Sequence, residues 1–246
     1  MYISTKIQNN KVHINSYIMN QVMEDIVIHF ELILNHTIGV ICMPSPKIHY
    51  CIANKILQTV KLDRTSFIIG NLAPDAHTKA RGGRLKSHFQ KKNTDLSDIS
   101  EFKEKYMLRK YDDFALGYYC HLVADTISFN NFNFHYLKDS SEEEKIVRVK
   151  MCYKDYYILN IKLLNFYKFT KENIVIPKQL YIDEIERETL VGLINDFQQN
   201  FKHNNNNNNE DDLTILNMEY VLNEINAVAR KCVIDIKGLL LEEHYT

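Results

Sequence analysis

The sequence predicts an all-α protein, folded as a single bundle-like domain of packed helices. Two observations predict this class. Glycine and proline are sparse, with seven and four among 246 residues, whereas a β-rich protein needs frequent turn residues. Apolar residues also recur at helical spacing in several long segments. A chain of this length is long enough to bury a sizeable core.

The first predicted helix covers residues 46–60, with Pro46 near its start, where proline is well tolerated. Its apolar residues lie four apart and form one stripe: Ile48, Ile52, Ile56 and Val60. A short apolar run at residues 66–72 follows and ends at Ala73-Pro74-Asp75. Because proline disfavours helical conformation in the preceding residue, Asp75 is expected just after a break in the chain.

Residues 112–133 predict the central helix. Asp112 or Asp113 can cap its N-terminus, and its middle is apolar on nearly every face, which indicates burial on several sides. Three further amphipathic helices are predicted at residues 141–169, 180–201 and 211–242.

Two polar segments separate these helices. Residues 76–95 contain Gly82-Gly83 and predict a mobile loop. The asparagine run at residues 204–209 predicts a disordered surface linker. The sequence contains no internal repeat, so residues 43–246 are predicted to form one domain and residues 1–42 an N-terminal extension of uncertain status.

Within the extension, residues 18–42 are rich in apolar side chains, but Glu24, Asp25, His29 and Glu31 interrupt them. The segment therefore resembles neither a signal peptide nor a membrane span, and no stable membrane insertion is predicted. One hypothesis is that translation starts at Met43. The intact mass of the native protein tests it, because a mass that includes residues 1–42 excludes that start.

Composition excludes some classes of function. The formal net charge is −1, which lacks the strongly basic character of a general nucleic-acid-binding protein. Five cysteines without paired spacing argue against a disulfide framework and favour a cytoplasmic, reducing location. The sequence gives no indication of an oligomeric state.

The central helix carries His121 and Asp125, four residues apart and therefore on one face. Most such pairs are exposed neighbours on a helix. Here the flanking residues are apolar, and an ionised carboxylate in apolar surroundings is costly unless it is paired or binds a metal. A buried His–Asp hydrogen bond that fixes helix packing is the alternative.

Three other residues are ordinary when taken alone. Asp75 after Pro74 is typical of a turn, His88 of a surface histidine, and His49 of a satisfied core histidine. Together with His121 and Asp125 they form a set of nitrogen and oxygen ligands that suits zinc. His77 and His135 are weaker candidates.

Four segments, in order, resemble the zinc-dependent phospholipase C family. They are Met43-Pro44-Ser45-Pro46-Lys47-Ile48-His49, Phe67-Ile68-Ile69-Gly70-Asn71-Leu72-Ala73-Pro74-Asp75, Ser87-His88-Phe89, and Leu116-Gly117-Tyr118-Tyr119-Cys120-His121-Leu122-Val123-Ala124-Asp125. The resemblance covers residues 43–135 by motif and implies a helical bundle with metals at one end of its helices.

The resemblance implies that Asp75, His88, His121 and Asp125 hold one zinc ion, and that His49 helps hold another with Asp125 shared. The secreted members of the family use the chain's amino terminus and downstream histidines and a glutamate as further ligands. Here an extension precedes His49, and only His135 follows Asp125 closely. One or two zinc ions are therefore expected, and a third site is doubtful.

The predicted activity is hydrolysis of a small phosphate ester or a phospholipid headgroup by a metal-activated water. A metal lowers the pKa of bound water from ~15.7 towards ~7. Asp75 is the predicted catalytic residue, assisting deprotonation besides its ligand role. The Gly82-Gly83 loop is a candidate lid that carries a cation near the phosphate: Arg81, Arg84 or Lys86.

Two alternatives stay open at this point. One is a helical protein whose zinc site is structural or has lost catalysis, and the other is an interaction protein without a metal. Helical phosphohydrolases with an adjacent His-Asp pair are a further enzyme class, but the chain contains no His-Asp dipeptide.

Overall fold

The computed structural model describes residues 42–77, 83–92, 96–108, 111–199 and 213–243. These residues form eight α-helices and no strand, which confirms the predicted all-α class. The helices are α1 (Pro46–Leu57), α2 (Arg64–Leu72), α3 (Gly83–Ser87), α4 (Ile99–Tyr106), α5 (Asp113–Phe132), α6 (Glu142–Phe166), α7 (Arg187–Gln199) and α8 (Met218–Glu243). A 3-10 turn, Ala73–Asp75, continues α2, and a π-helical turn, Asn133–Leu137, continues α5.

Helix α5 is the buried centre of the fold. The Asp112 side chain caps it by accepting the Ala115 N–H at 3.0 Å, as the sequence predicts. All residues from Phe114 to Asp125 are buried, so the helix is packed on every side along its first three turns. Side chains at positions 121 and 125 are therefore held in the interior.

Helices α2 and α5 cross at a pair of glycines. A Cβ atom on Gly70 would lie 2.0 Å from the Phe114 carbonyl oxygen, and one on Gly117 would lie 2.2 Å from the Phe67 carbonyl oxygen. Only glycine permits this approach of two backbones. The crossing places the end of α2, and with it Asp75, next to the middle of α5.

Helix α1 begins as the sequence predicts. Ser45 accepts the Ile48 N–H at its hydroxyl, and Pro46 follows at the first helical position. The predicted apolar stripe is buried, and α1 packs against α2 and α8. His49 lies on the buried side of this helix with the stripe.

Helix α8 is tied to α6 through a buried carboxylate. Asp155 on α6 accepts hydrogen bonds from the backbone N–H groups of Thr214, Ile215 and Leu216 and from the Thr214 hydroxyl. Four donors satisfy this carboxylate, which would be costly to bury without them. They fix the segment that leads into α8.

The ends of several elements differ from the sequence prediction. Helices α7 and α8 begin at Arg187 and Met218, later than the predicted starts at 180 and 211. The polar segment 76–95 contains a short helix, α3, whose first residue Gly83 has φ +63°. Helix α4 was not predicted.

Residues 1–41, 78–82 and 204–209 lie outside the described residues, so predictions for the extension, the loop glycine Gly82 and the asparagine linker are untested.

The fold contains one disulfide, although the cysteine spacing argues against a disulfide framework. Cys42 and Cys152 form a disulfide across 110 residues, with their Cα atoms 6.5 Å apart. Sequence spacing does not indicate this bond, because the partners meet only when α6 packs beside the start of α1. Cys51, Cys120 and Cys232 are free and buried, as small apolar residues often are.

No helix in the described ranges is long and apolar enough to cross a bilayer.

Candidate metal centre

The five predicted metal ligands come together at one end of α5. His49 is on α1, Asp75 ends the 3-10 turn after α2, His88 follows α3, and His121 and Asp125 lie one turn apart on α5. The three histidines are fully buried and Asp125 is 1% exposed, while 15% of the Asp75 side chain is exposed. Asp75 is thus the most exposed residue of the set.

Four of the five residues surround one point. His88 Nε2 lies 3.1 Å from His121 Nε2 and 3.4 Å from Asp125 Oδ2, and His121 Nε2 lies 3.7 Å from the same oxygen. Asp75 Oδ1 lies 3.8 Å from His88 Nε2 and 3.9 Å from His121 Nε2. Ligands of a tetrahedral zinc ion with bonds of ~2.0 Å stand about 3.3 Å apart. The measured separations are close to that spacing.

His49 lies on the other side of Asp125. Its Nε2 is 3.1 Å from Asp125 Oδ1, and its ring stacks on His121 with centroids 3.8 Å apart. Ligand atoms of His49, His121 and Asp125 lie within 4.8 Å of one another, as do those of Asp75, His88 and His121. The Oδ1 atom of Asp125 therefore faces His49, and its Oδ2 atom faces His88 and His121.

Backbone contacts fix the protons of two imidazoles. His121 Nδ1 is 2.8 Å from the Asn71 carbonyl oxygen, and His88 Nδ1 is 3.2 Å from the Arg84 carbonyl oxygen. A carbonyl oxygen only accepts, so neutral His121 carries its proton on Nδ1. His88 Nδ1 also lies 2.9 Å from the Ser87 hydroxyl, which donates to the Arg84 carbonyl oxygen and therefore accepts from His88. Each neutral ring then has an unshared pair on Nε2. The two Nε2 atoms then face each other 3.1 Å apart. Two facing lone pairs repel each other unless a cation lies between them.

Other polar atoms of the centre also lack a hydrogen bond of good geometry, although His49 Nε2 and Asp125 Oδ1 lie 3.1 Å apart. Among the described residues, no hydrogen bond of good geometry reaches His49 Nδ1, His49 Nε2, Asp75 Oδ2 or Asp125 Oδ1, although all are buried. Leaving such groups unsatisfied costs about 1–3 kcal/mol each. Nitrogen and carboxylate donors are the ligands that zinc prefers among the side chains present. The residues therefore fit a bound zinc ion.

Comparison with known protein families identifies the family to which the chain belongs. The model of the family "Zinc dependent phospholipase C" matches residues 48–214, a range that contains all five residues of the centre. The chain belongs to the zinc-dependent phospholipase C family. None of the curated proteins and none of the solved structures compared with the chain matches it. Family membership agrees with the resemblance stated from the four sequence segments.

In this zinc-dependent phospholipase C family member, electrostatics favour the metal-binding protonation states of the candidate ligands. Burial lowers the pKa of both His88 and His121 well below the usual value, so both imidazoles are neutral at pH 7. Burial alone raises the pKa of Asp125, but His121, Arg84 and His49 around it lower that pKa well below its usual range. Burial raises the pKa of Asp75 to about 6, against the opposing effects of His49 and Arg84. Asp75 is thus a candidate ligand that gains or loses its proton near pH 6.

A cation of the chain itself reaches the centre. Arg84 Nη2 lies 2.5 Å from Asp125 Oδ2, and Nη1 lies 3.6 Å from Asp75 Oδ1. The sequence predicts that Arg81, Arg84 or Lys86 places a positive charge near the phosphate of a substrate. The structure brings Arg84 to the cluster, whereas Lys86 is exposed and Arg81 lies outside the described residues.

Sequence reasoning missed Glu224 on α8. It is 5% exposed, and neither carboxylate oxygen has a hydrogen bond of good geometry within the described ranges. Burial raises its pKa to about 6, opposed by Ser128, Asn131 and His49. Glu224 follows the matched range and stands in an ordinary amphipathic helix, so no local signal distinguishes it from a surface glutamate.

The two weaker histidine candidates lie apart from the ligand atoms. The His77 ring centroid is 6.1 Å from that of His88. His135 is exposed and packs edge-on against Tyr220, with centroids 6.1 Å apart. Neither residue belongs to the two ligand groups described above.

Proposed function

We propose that this protein is a zinc-dependent hydrolase of phosphate esters, acting on a small phosphate ester or a phospholipid headgroup. Family membership supports the zinc-dependent hydrolase class. The observation that carries the proposal is the pair of facing Nε2 lone pairs of His88 and His121, 3.1 Å apart beside two carboxylates. That arrangement is stable when a cation lies among the four side chains.

The first zinc ion would be held by Asp75, His88, His121 and Asp125. A second would be held on the other side of Asp125, by His49 and the Oδ1 atom that faces it at 3.1 Å. One or two ions are therefore proposed. When bound, zinc acidifies water and offsets charge on phosphoryl oxygens.

Asp75 is the proposed catalytic base. Its Oδ1 faces His88 and His121, while Oδ2 has no hydrogen bond in the described structure. Its side chain is the most exposed of the five, at 15%, although Oδ2 itself is buried, so Asp75 lies at the edge of the buried cluster. Oδ2 accepts the proton of the attacking water, and the ionised form needed for that task predominates above pH ~6.

The location of the protein stays a proposal. A cytoplasmic location was predicted from the cysteine spacing, and the Cys42–Cys152 disulfide removes that support. Disulfides persist mainly in oxidising compartments, so we propose an oxidising environment.

A structural or catalytically inactive zinc site is the second candidate. Family ligands expected after Asp125 are missing from the sequence, and His135, the one histidine close downstream, is exposed. This candidate predicts one tightly held zinc ion and no turnover. The interaction protein without a metal would leave the two facing imidazole nitrogens unexplained.

Hydrolysis of a chromogenic phosphodiester by the zinc-loaded protein tests the proposal. We expect His121→Ala to abolish hydrolysis, because it removes a ligand shared by both groups, and His135→Ala to retain it as a matched histidine control. Asp75→Asn should bind zinc more weakly and lower kcat by ~10²-fold or more, because the amide cannot accept the proton. Equal rates for the wild type and His121→Ala would refute the assignment.

A further inference from the structure

The guanidinium of Arg84 contacts the same oxygens that face the ligand histidines. Asp125 Oδ2 is 2.5 Å from Arg84 Nη2 and 3.4 Å from His88 Nε2. Asp75 Oδ1 is 3.6 Å from Arg84 Nη1 and 3.8 Å from His88 Nε2. Arg84 therefore bridges the two carboxylates of the proposed zinc site.

A metal ion and this guanidinium compete for one oxygen. A charge-assisted hydrogen bond to Asp125 Oδ2 withdraws electron density that a metal ligand must donate. Two positive groups on the same carboxylate also repel each other at short range. A bound cation therefore weakens the Arg84–Asp125 contact, and Arg84 in turn weakens binding of the cation.

The Arg84 side chain can change partners while its backbone stays fixed. Its carbonyl oxygen accepts from His88 Nδ1 at 3.2 Å and from the Ser87 hydroxyl at 3.2 Å. Its side chain is 24% exposed, so the guanidinium lies between the buried cluster and solvent. It can turn from Asp125 towards a ligand at the mouth of the site without moving His88.

We propose that Arg84 binds a phosphate group of the substrate and couples phosphate binding to zinc binding. The inference rests on the proposed function and extends it to one residue and its ligand. The oxygens of a phosphate group match the spacing of the N–H donors of a guanidinium. They give Arg84 a new negatively charged partner when zinc binds the Asp125 carboxylate. An anion between the two cations removes their repulsion, so zinc and phosphate strengthen each other's binding.

Zinc affinity, measured by competition with a chelating dye with and without inorganic phosphate, tests the coupling. In the wild type we expect phosphate to tighten zinc binding about tenfold, and by reciprocity zinc to tighten phosphate binding equally. In Arg84→Gln, zinc alone should bind at least about fivefold more tightly, and phosphate should no longer change its affinity. Tighter zinc binding together with loss of the phosphate effect distinguishes this role from general damage to the fold, which would weaken zinc binding as well.

Two further variants sharpen the test. Lys86→Gln removes an exposed positive charge from the same short helix and should leave both zinc affinity and coupling unchanged. Arg84→Lys keeps the charge but cannot span both carboxylates, so its coupling should be intermediate. Replacing inorganic phosphate with a soluble phosphate monoester, or with a monomeric short-chain phospholipid, identifies which source supplies the phosphate group.

The outcomes separate this inference from the proposed function. If zinc binds the wild type, fails to bind His121→Ala, and shows the same affinity and coupling in Arg84→Gln as in the wild type, the role of Arg84 is refuted and the zinc site stands. Coupling lost in Lys86→Gln but kept in Arg84→Gln also overturns it. If zinc does not bind the wild type, the proposed function fails first.

Discussion

At the residue scale, the orientation of the candidate ligands depends on backbone carbonyl groups, whose positions cannot be inferred from the pattern of side chains in the sequence. The carbonyl oxygens of Asn71 and Arg84 set the protonated nitrogen of His121 and His88. Orientation of ligand histidines by such outer contacts raises metal affinity and fixes the tautomer. Tyr118 adds a hydrogen bond from its hydroxyl to the Ser87 carbonyl oxygen, which holds the chain beside His88.

The pH dependence of zinc binding follows from Asp75. Burial raises its pKa to about 6, and a zinc ion that binds the carboxylate displaces its proton. Above pH 6 the carboxylate is already ionised, so its contribution to zinc affinity is constant. As pH falls below 6, one proton must leave for each zinc ion bound, and the apparent affinity falls about tenfold per unit.

Isothermal titration with zinc between pH 5 and 8 measures this dependence. Asp75→Asn is the control, because its amide has no proton to displace and its profile should be flatter below pH 6. The same slope in both proteins would show that another group governs binding.

At the element scale, the crossing of α2 and α5 sets the geometry of the centre. Gly117 lies one turn before His121, and Gly70 lies next to Asn71, whose carbonyl orients His121. The contact at the two glycines therefore determines how far Asp75 is from His121.

Gly117→Ala should distort this crossing. Its Cβ would lie 2.2 Å from the Phe67 carbonyl oxygen, a backbone atom that cannot turn aside, so the helices must separate. We expect the free energy of unfolding to fall by about 1–3 kcal/mol and zinc affinity to fall with it. Urea denaturation measures the first effect and dye competition the second.

Gly192→Ala is the matched control. Gly192 lies in α7, and, apart from its own helix backbone and chain neighbours, no atom of the described residues lies within 4 Å of its added Cβ. Alanine there should raise stability by up to ~1 kcal/mol, because glycine is a poor helix former. A stable, zinc-binding Gly117→Ala protein would contradict the role given to the crossing.

How much of each element the sequence predicts depends on local signals. Helix α5 was predicted almost to the residue, because Asp112 caps it and its apolar content is continuous. Helix α4, Ile99–Tyr106, was missed because it is short, half of its residues are charged and it buries only Phe102. The role of the five candidate ligands stays a proposal, but the residues themselves were identified through ordered motifs. The contacts of Arg84 and Glu224 were not, because they join residues distant in sequence.

At the scale of the whole molecule, the Cys42–Cys152 disulfide links the start of the domain to α6. A cross-link over 110 residues restricts the unfolded chain strongly. Nearby, Ser45, the cap of α1, donates its hydroxyl to Asn160 of α6 at 2.5 Å. The disulfide therefore supports the position of α1 and of His49.

Cys152→Ser should lower the free energy of unfolding by about 2–5 kcal/mol. Urea denaturation with and without a reducing agent measures it. Reduction should destabilise the wild type to a similar extent and leave Cys152→Ser unchanged. If reduction leaves the wild type as stable as before, the disulfide does not contribute to the stability of the fold.

The central claim is that five side chains from four segments hold zinc at one end of α5. Elemental analysis of zinc after exhaustive dialysis tests it most directly, in the wild type, His121→Ala and His135→Ala. The account predicts one or two zinc ions per chain in the wild type and in His135→Ala, and a loss of bound zinc in His121→Ala. A wild type without zinc, or a zinc content that His121→Ala does not change, would contradict it.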